Sequence, residues 1–483
     1  MFETLDQFMP VLLSVMAVSA AALTSVHVLL SRREPGSAVA WIGLAWLAPF
    51  VGVTLYLILG VNRIRRRAET LRRVIEPFFT LPTVTPLTPE SLEQWLPEPT
   101  RHLSALAHVV NEVVRRPLLP GARIEPLFDG DEVFPAMIDA IEKAQKSITL
   151  ASYIFDNDAW GQHFVRALAA AVTRGVEVRV LIDAAGLRYS FPTILRALRR
   201  AKVRHTRFLP SIVPPHFMTI NLRNHRKIMV VDGTIGFTGG INIRAAHVLA
   251  SKPRFPTHDL HFRLEGPVVA HLQEVFADDW AFSARELLRG ELWFPPLEPV
   301  GSAIARGIPD GPDEDFDKLR WTLLGALACA RHHVRIVTPY FVPDTTLMTS
   351  INLAVMRGVV VDIVLPAVNN LPFVHWAAMS QLRPLLERGC TIWFTPPPFD
   401  HSKLMIVDSQ WVLLGSANWD ERSLRLNFEF NVECYDEELA GLLEARIEAR
   451  LLTTRPYTLQ DYEKRSTLVR LRDGAAALLA PYL

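Results

Sequence analysis

The chain has 483 residues, a formal net charge of +1 and a mean hydropathy of +0.18. That length is too great for one ordinary domain. The near-zero charge supplies no global field for nucleic acid, so no nucleic-acid partner is expected, and the positive hydropathy asks for a membrane segment.

The first predicted elements meet that demand. Met9 to Leu30 carries no charge and is long enough to cross a bilayer. Ala38 to Gly60 is a second such stretch, with Trp41 and Tyr56 near its ends as interface anchors. Ser31 to Ser37 reads as a tight turn, so spans 9–30 and 38–60 predict a two-helix hairpin that makes the chain integral to a membrane. Glu3 and Asp6 precede the first span, where a cleaved signal needs a basic region. Arg63, Arg65, Arg66, Arg67, Arg72 and Arg73 follow the second span, against Arg32 and Arg33 in the turn. The positive-inside rule then places the bulk of the chain, and the N-terminus with it, in the cytoplasm. Residues 1–73 are thus expected to be an anchor. The same arginines suit anionic lipid headgroups.

Residues 74–120 read as a linker, because Pro77 to Pro99 is Pro-rich and irregular. Leu103 to Val114 is the one amphipathic helix expected there. Residues 121–300 form a first half. In it Ser147 to Phe155 reads as a strand, Phe164 to Thr173 as a helix, Val176 to Ile182 as a strand and Ile194 to Ala201 as a helix. An apolar, proline-broken loop follows, Phe208 to Ile220, as either a buried crossover or an interfacial loop for acyl chains. Then comes His225-Arg-Lys227, a short apolar run Ile228 to Val231, Asp232, and Gly239-Gly240-Ile-Asn242.

The second half, residues 301–483, repeats this order. Val334 to Phe341 reads as a strand, Leu347 to Met356 as a helix, Val359 to Leu365 as a strand and Trp376 to Glu387 as a helix. Arg174-Gly175-Val176 matches Arg357-Gly358-Val359, and Tyr153 matches Tyr340. Asn370 to Trp376 offers the same two loop readings as Phe208 to Ile220. The motif returns as His401-Ser-Lys403, Leu404 to Val407, Asp408, and Gly415-Ser416-Ala-Asn418. Both copies are H-x-K-x4-D-x6-G-[GS]-x-N. The fold class expected is α/β, a duplicated unit fused into a pseudo-dimer.

The motif has a physical logic. If each His-x-Lys begins a strand, its imidazole and ammonium project to one face. Two halves packed face to face then converge two imidazoles and two ammonium groups. A phosphodiester needs that set. One neutral imidazole attacks phosphorus, the other gives a proton to the leaving oxygen, and lysines with Asn242 and Asn418 hold the non-bridging oxygens. Asp232 and Asp408 close the strands. Asp400, beside His401, would raise that imidazole's pKa by its charge. Cys329, Cys390 and Cys434 are an odd, scattered set that fits a reducing compartment. His258 and His261 flank Asp259, and His332-His333 is a doublet, but neither is a closed ligand set. With two lysines neutralising the phosphate, neither metal nor cofactor is expected.

These motifs resemble the phospholipase D superfamily, whose HKD motif is this one. Tyr153-Ile-Phe-Asp156, Asn221-Leu-Arg-Asn-His225, Thr338-Pro-Tyr-Phe-Val-Pro343, and Gly415 to Ser423 with Asn427-Phe-Glu429 resemble bacterial cardiolipin synthases. The resemblance implies a phospholipase D-type α/β/α sandwich behind two membrane helices in a bacterial inner membrane. It implies transfer between two phosphatidylglycerol molecules, giving cardiolipin and glycerol through a phosphatidyl-histidine. A phospholipase D-type hydrolase, or a transferase using another lipid such as phosphatidylethanolamine, is the alternative. Catalytic roles fall to His225, Lys227, His401 and Lys403. Asp232 and Asp408 complete the motifs in a mostly structural way. Asp259 and Glu429 are implied to orient the histidines.

Overall fold

The computed structural model describes residues 2–30, 35–59, 83–209, 222–313 and 315–479. Its N-terminal helices and its main body are two compact units. In the first unit, α1 (Phe2–Leu30) contains the expected span Met9–Leu30, whose mean hydropathy is 2.0. Among the described residues it is the one helix long and apolar enough to cross a membrane. The second expected span is not one helix. It divides into α2 (Pro35–Leu47) and α3 (Pro49–Leu59). Pro49 has no N–H to continue the ladder, and the chain turns back there. Gly52 lies so close to α2 that a Cβ on it would meet the Leu44 carbonyl oxygen at 2.4 Å. Trp41 of α2 meets Tyr56 of α3 edge to face at 5.4 Å.

Part of the expected linker is folded. The unexpected α4 (Pro89–Trp95) and the expected amphipathic helix, α5 (Ser104–Val113), carry Leu92, Leu106 and Val110 into the core of the second half. The prolines there misled the reading. Pro89 stands at the start of α4, where its missing N–H costs nothing, and Thr88 with Ser91 forms a capping box.

The body then contains the same series of elements twice. The first is β1 (Leu119–Phe128), α6 (Asp129–Lys143), β2 (Ser147–Ser152), α7 (Ala159–Thr173), β3 (Glu177–Asp183), α8 (Leu195–Arg200), β4 (His205–Phe208), β5 (Ile228–Val231), β6 (Ile235–Gly239), β7 (Leu260–Glu265) and α9 (Val269–Ala284). The second is β8 (Ala303–Asp310), α10 (Lys318–Cys329), β9 (His333–Val337), α11 (Thr345–Met356), β10 (Val360–Pro366), α12 (Pro372–Arg388), β11 (Thr391–Thr395), β12 (Leu404–Val407), β13 (Trp411–Gly415), β14 (Asn427–Tyr435) and α14 (Glu437–Leu451), with α13 (Glu421–Arg425) before β14. Two short helices, α15 (Leu459–Glu463) and α16 (Thr467–Ala477), follow.

The strands form one continuous sheet in the order β11-β10-β9-β12-β13-β14-β8-β1-β7-β6-β5-β2-β3-β4. Each strand of the first half occupies the place of the strand numbered seven higher in the second. The halves meet edge to edge where β1 pairs antiparallel with β8, Leu119 opposite Ala305 and Ala122 opposite Ala303. Within each half β2–β3–β4 and β9–β10–β11 are parallel; β2, β3, β9 and β10 are largely buried, which explains their mostly apolar sequences. Phe134, Phe164, Ile148 and Val180 centre the first core, and Leu323, Ile336, Ile363 and Leu382 the second.

Candidate active site

Each His-x-Lys lies just before its strand rather than on it, bridging a two-residue strand to β5 or β12. Those two short strands cross over. Arg223–Asn224 pairs in parallel with Asn427–Phe428 of the second half, and Phe399–Asp400 pairs with Thr257–His258 of the first. The backbone follows: His225 N–H donates to the Phe428 carbonyl at 2.9 Å, and His401 N–H to that of His258 at 2.8 Å.

The side chains cross in the same way. His225 Nδ1 is 3.0 Å from Glu429, and His401 Nδ1 is 2.8 Å from Asp259. Each imidazole is thus paired with the acid of the other half. A carboxylate accepts only, so each Nδ1 carries the proton and each Nε2 is left with its lone pair. Glu429 is fully buried and also accepts from Ser416 Oγ at 2.5 Å and Asn427 Nδ2 at 3.1 Å. The surroundings of the fifth motif position, Gly240 or Ser416, explain its two variants. A Cβ on Gly240 would sit 2.1 Å from Asp259 Oδ1, so the first copy needs glycine there. In the second copy, Ser416 donates to the acid instead.

Lys227 donates to the His225 carbonyl at 2.7 Å, and Lys403 donates to that of His401. Both lysines are buried. Burial lowers Lys227 to about 7 and Lys403 to about 8, despite the nearby carboxylates. Burial also lowers His225, and lowers His401 further with the help of Lys403 and Lys227. Burial pushes Asp259 up to about 6. Glu429 stays below its usual value even though burial opposes its charge, because His225 and Lys227 face it. Burial thus holds four basic groups around one point below their usual values, so that an anion arriving among them raises their charge.

His225, His401, Asn242 and Asn418 line one cavity of about 610 Å³. Asn242 Oδ1 accepts from Ile154 N–H, and Asn418 Nδ2 donates to Ser423. Tyr153 and Tyr340 flank the two imidazoles at ring distances of 5.0 and 6.1 Å. Asp232 and Asp408 do not line the cavity. Asp232 accepts the backbone N–H groups of Gln145, Lys146 and Ser147, and Asp408 those of Arg331, His332 and His333. Each pins the start of the strand beside its motif, from a left-handed φ of 52° or 51°. Asp408 also takes a 2.7 Å contact from His102.

Asp400 does not act on His401 as expected. Its carboxylate turns to Arg450 at 2.8 Å, leaving His401 lowered by burial. His258 pairs with Asp129 and His333 with Asp362, and no cluster among the described residues has the makings of a metal site. The Phe208–Ile220 loop lies mostly outside the described residues. Of Asn370–Trp376, Asn370, Leu371 and Val374 line the cavity and Phe373 is exposed. Sequence reasoning missed Arg223, Arg244, His247 and Arg422, which also line it. The signal was available for two of them: Arg223 lies two residues before one motif histidine, and Arg422 four after one motif asparagine.

Known proteins share this organisation. Residues 137–280 and 323–451 match the family described as cardiolipin synthase, PLD-like domain, and residues 20–60 match the phospholipase D-nuclease N-terminal family. The chain is 31% identical to cardiolipin synthase 2 of Staphylococcus epidermidis, covering 98% of this chain and 99% of that one. It is 30% identical to the major cardiolipin synthase of Bacillus subtilis over the same shares of each. Among solved structures, phosphatidylserine synthase of Haemophilus influenzae superposes with a TM-score of 0.59 at 16% identity, over 78% of this chain and all of that one, a likeness of fold.

Proposed function

The chain belongs to the cardiolipin synthase family of phospholipase D-like proteins, and on that premise we propose that it joins two phosphatidylglycerol molecules into cardiolipin and glycerol. It is a phosphatidyltransferase acting on phospholipids. The observation that carries the mechanism is the crossed pair of His–acid contacts opening into one cavity.

His225 Nε2 attacks the phosphorus of the first lipid. A P–N bond forms, the P–O bond to the headgroup glycerol breaks, and His401 gives its Nε2 proton to that oxygen. The hydroxyl of the second lipid's glycerol then attacks phosphorus. His401 takes its proton, and the P–N bond breaks. Lys227, Lys403, Asn242 and Asn418 hold the non-bridging oxygens through both steps. The acid must be charged in the loaded site although His401 is lowered in the empty one. The negative phosphodiester supplies the field that charges it. Glu429 holds His225, and Asp259 holds His401, in the tautomer that leaves Nε2 facing phosphorus.

The cavity's apolar rim, Leu371, Val374 and Phe399, suits lipid. The arginines of residues 63–73 support a body on the cytoplasmic face. The test is to give the purified protein phosphatidylglycerol alone and resolve the products. Cardiolipin and glycerol in equal amounts are expected. Phosphatidic acid alone would make the enzyme a hydrolase, and a need for added phosphatidylethanolamine would change the donor.

A further inference from the structure

Resting on that reading, a second anion must enter the cavity. The attacking hydroxyl belongs to a lipid that carries its own phosphodiester at the far end of the glycerol. The His–Lys centre serves the phosphate being cleaved. The second needs cations elsewhere in the same cavity.

The motif copies are close to interchangeable at the reacting centre, but their flanks differ. Arg223, two residues before His225, has Phe399 as its counterpart before His401. Arg422, four residues after Asn418, has Ala246 as its counterpart after Asn242. Both arginines fall on one flank. The strand pairing sets Arg223 opposite Asn427 of β14, and α13 carries Arg422 just before that strand. Phe399, Leu371 and Val374 also line the cavity, and so does Arg244, which acts on His401 and is paired with Asp156 at 3.1 Å. One carboxylate, Asp420, lines the cavity; it caps α13 through Ser423 N–H at 2.8 Å and also faces Arg422. Burial, with the charge of Arg223, holds the Arg422 guanidinium below its usual value although Tyr153 and Asp420 oppose that shift.

We propose that Arg223 and Arg422 form a subsite for the phosphodiester of the accepting lipid, so that one flank of a nearly symmetric centre selects an anionic acceptor. Guanidinium groups suit the task because they meet phosphate oxygens in pairs.

The experiment compares two outputs of one full-length enzyme in phosphatidylglycerol micelles. Exchange of radiolabelled glycerol into the lipid reads attack by a neutral acceptor. Cardiolipin formation reads attack by an anionic one. In Arg223→Gln and Arg422→Gln, with melting temperature as the control for folding, the cardiolipin-to-exchange ratio should fall roughly ten- to hundredfold. A soluble arm separates phosphate from lipid tail. Glycerol phosphate should outcompete glycerol as acceptor in the wild type and lose that advantage in both variants. An unchanged ratio, whether both outputs fall together or neither moves, overturns the subsite. If the wild type makes no cardiolipin, the functional reading fails, and the glycerol phosphate arm still decides the arginines.

A second inference stands on the N-terminal unit alone. Gly52 against Leu44, and Tyr56 against Trp41, put α2 and α3 in antiparallel register about an apex at Ala48–Pro49. His27, near the end of α1, is 2.6 Å from the Tyr56 hydroxyl, near the end of α3. A straight second span would carry Tyr56 to the start of α1, ~27 Å from His27 at 1.5 Å per residue. The 13 and 11 residues of α2 and α3 reach ~20 and ~16 Å, short of the ~30 Å hydrocarbon core. We infer that α1 crosses the bilayer once and that α2–α3 dips in and returns. Arg32 and Arg33 then share a side with Arg63 to Arg73, and only Glu3 and Asp6 precede the span on the other. The start of α1 is thereby moved from the cytoplasm to the opposite face.

Thr4→Cys and Ser37→Cys, each made in the full chain, test this with a membrane-impermeant maleimide on intact bacterial cells. The wild type, with its three native cysteines, sets the background. Labelling at position 4 from outside, and at 37 only after permeabilisation, is expected. The reverse pattern means two full spans, and no outside labelling at either position means no crossing at all; both overturn the inference.

Discussion

Glu429→Gln perturbs His225 from 204 positions away in sequence and from the other half of the fold. The carboxylate gathers three donors: His225 Nδ1, Ser416 Oγ and Asn427 Nδ2. Glutamine keeps one acceptor oxygen and brings a donor of its own. If the oxygen stays with Ser416 and Asn427, the amide faces His225 and forces its proton to Nε2, so the lone pair that should attack phosphorus is lost. If the oxygen serves His225, two buried donors face an amide N–H. Loss of an orienting carboxylate costs about 3–5 kcal/mol of transition-state stabilisation, a rate loss on the order of 10² to 10⁴. The donor left facing a donor costs ~1–3 kcal/mol of stability. The carboxyl's folded pKa is depressed, so its stabilisation is full above its ordinary value and lost as pH falls through the folded value. The gap in melting temperature between wild type and variant should therefore narrow in acid. Single-turnover trapping of phosphatidyl-enzyme from radiolabelled phosphatidylglycerol gives the rate. A folded variant that traps lipid within threefold of the wild-type rate would refute the claim that the second half orients the nucleophile.

Further outcomes follow from the same geometry. His225→Ala and His401→Ala should each abolish turnover, with the double variant little worse, because the two act as a unit; substantial turnover in either single variant would separate the halves. Affinity for glycerophosphoglycerol, a soluble phosphodiester, should fall between about pH 7 and 9, because Lys227 and Lys403 are charged in the empty site only below about 7 and 8 and an anion must recruit their protons. Calorimetry in buffers of different ionisation enthalpy should show proton uptake, reduced in Lys227→Met. Asp232→Ala should lower stability by ~2–4 kcal/mol, since three backbone donors lose their acceptor. The specific activity of its folded fraction should stay within severalfold of wild type; a collapse of that activity at unchanged melting temperature would put Asp232 in the chemistry. Exhaustive EDTA treatment should leave turnover intact, and a loss restored by one divalent ion would overturn the lysine assignment.

The repeat was legible because chemistry and burial both stamp it on the sequence. The parallel strands β3 and β10 are largely buried, so Val178–Ile182 and Val361–Leu365 read as apolar runs, each broken by one charge, Arg179 or Asp362. β1 and β8, which join the halves, left no such mark: Pro126, Gly307 and Pro309 lie within them, and their pairing is long-range. Pro89 looked like a breaker because position within a helix, which decides whether proline harms it, is a structural fact. The crossing of acids and histidines was likewise invisible. Spacing within each copy says which residues share a strand, while partner choice depends on Arg223–Asn224 and Phe399–Asp400 pairing across the halves. In the second apolar stretch, hydropathy counted residues correctly and missed the reversal at Pro49.

The crossed acids also set a clock on synthesis. Chains emerge from the N-terminus at ~5–20 residues per second. His225 leaves the ribosome 204 residues before Glu429, ~10–40 s earlier at that pace. His401 emerges after Asp259 but still ahead of β14, the strand that carries Glu429. The apolar helices are thus made first and the reactive centre is completed last. A nascent chain therefore holds His225 without its orienting acid until β14 has emerged.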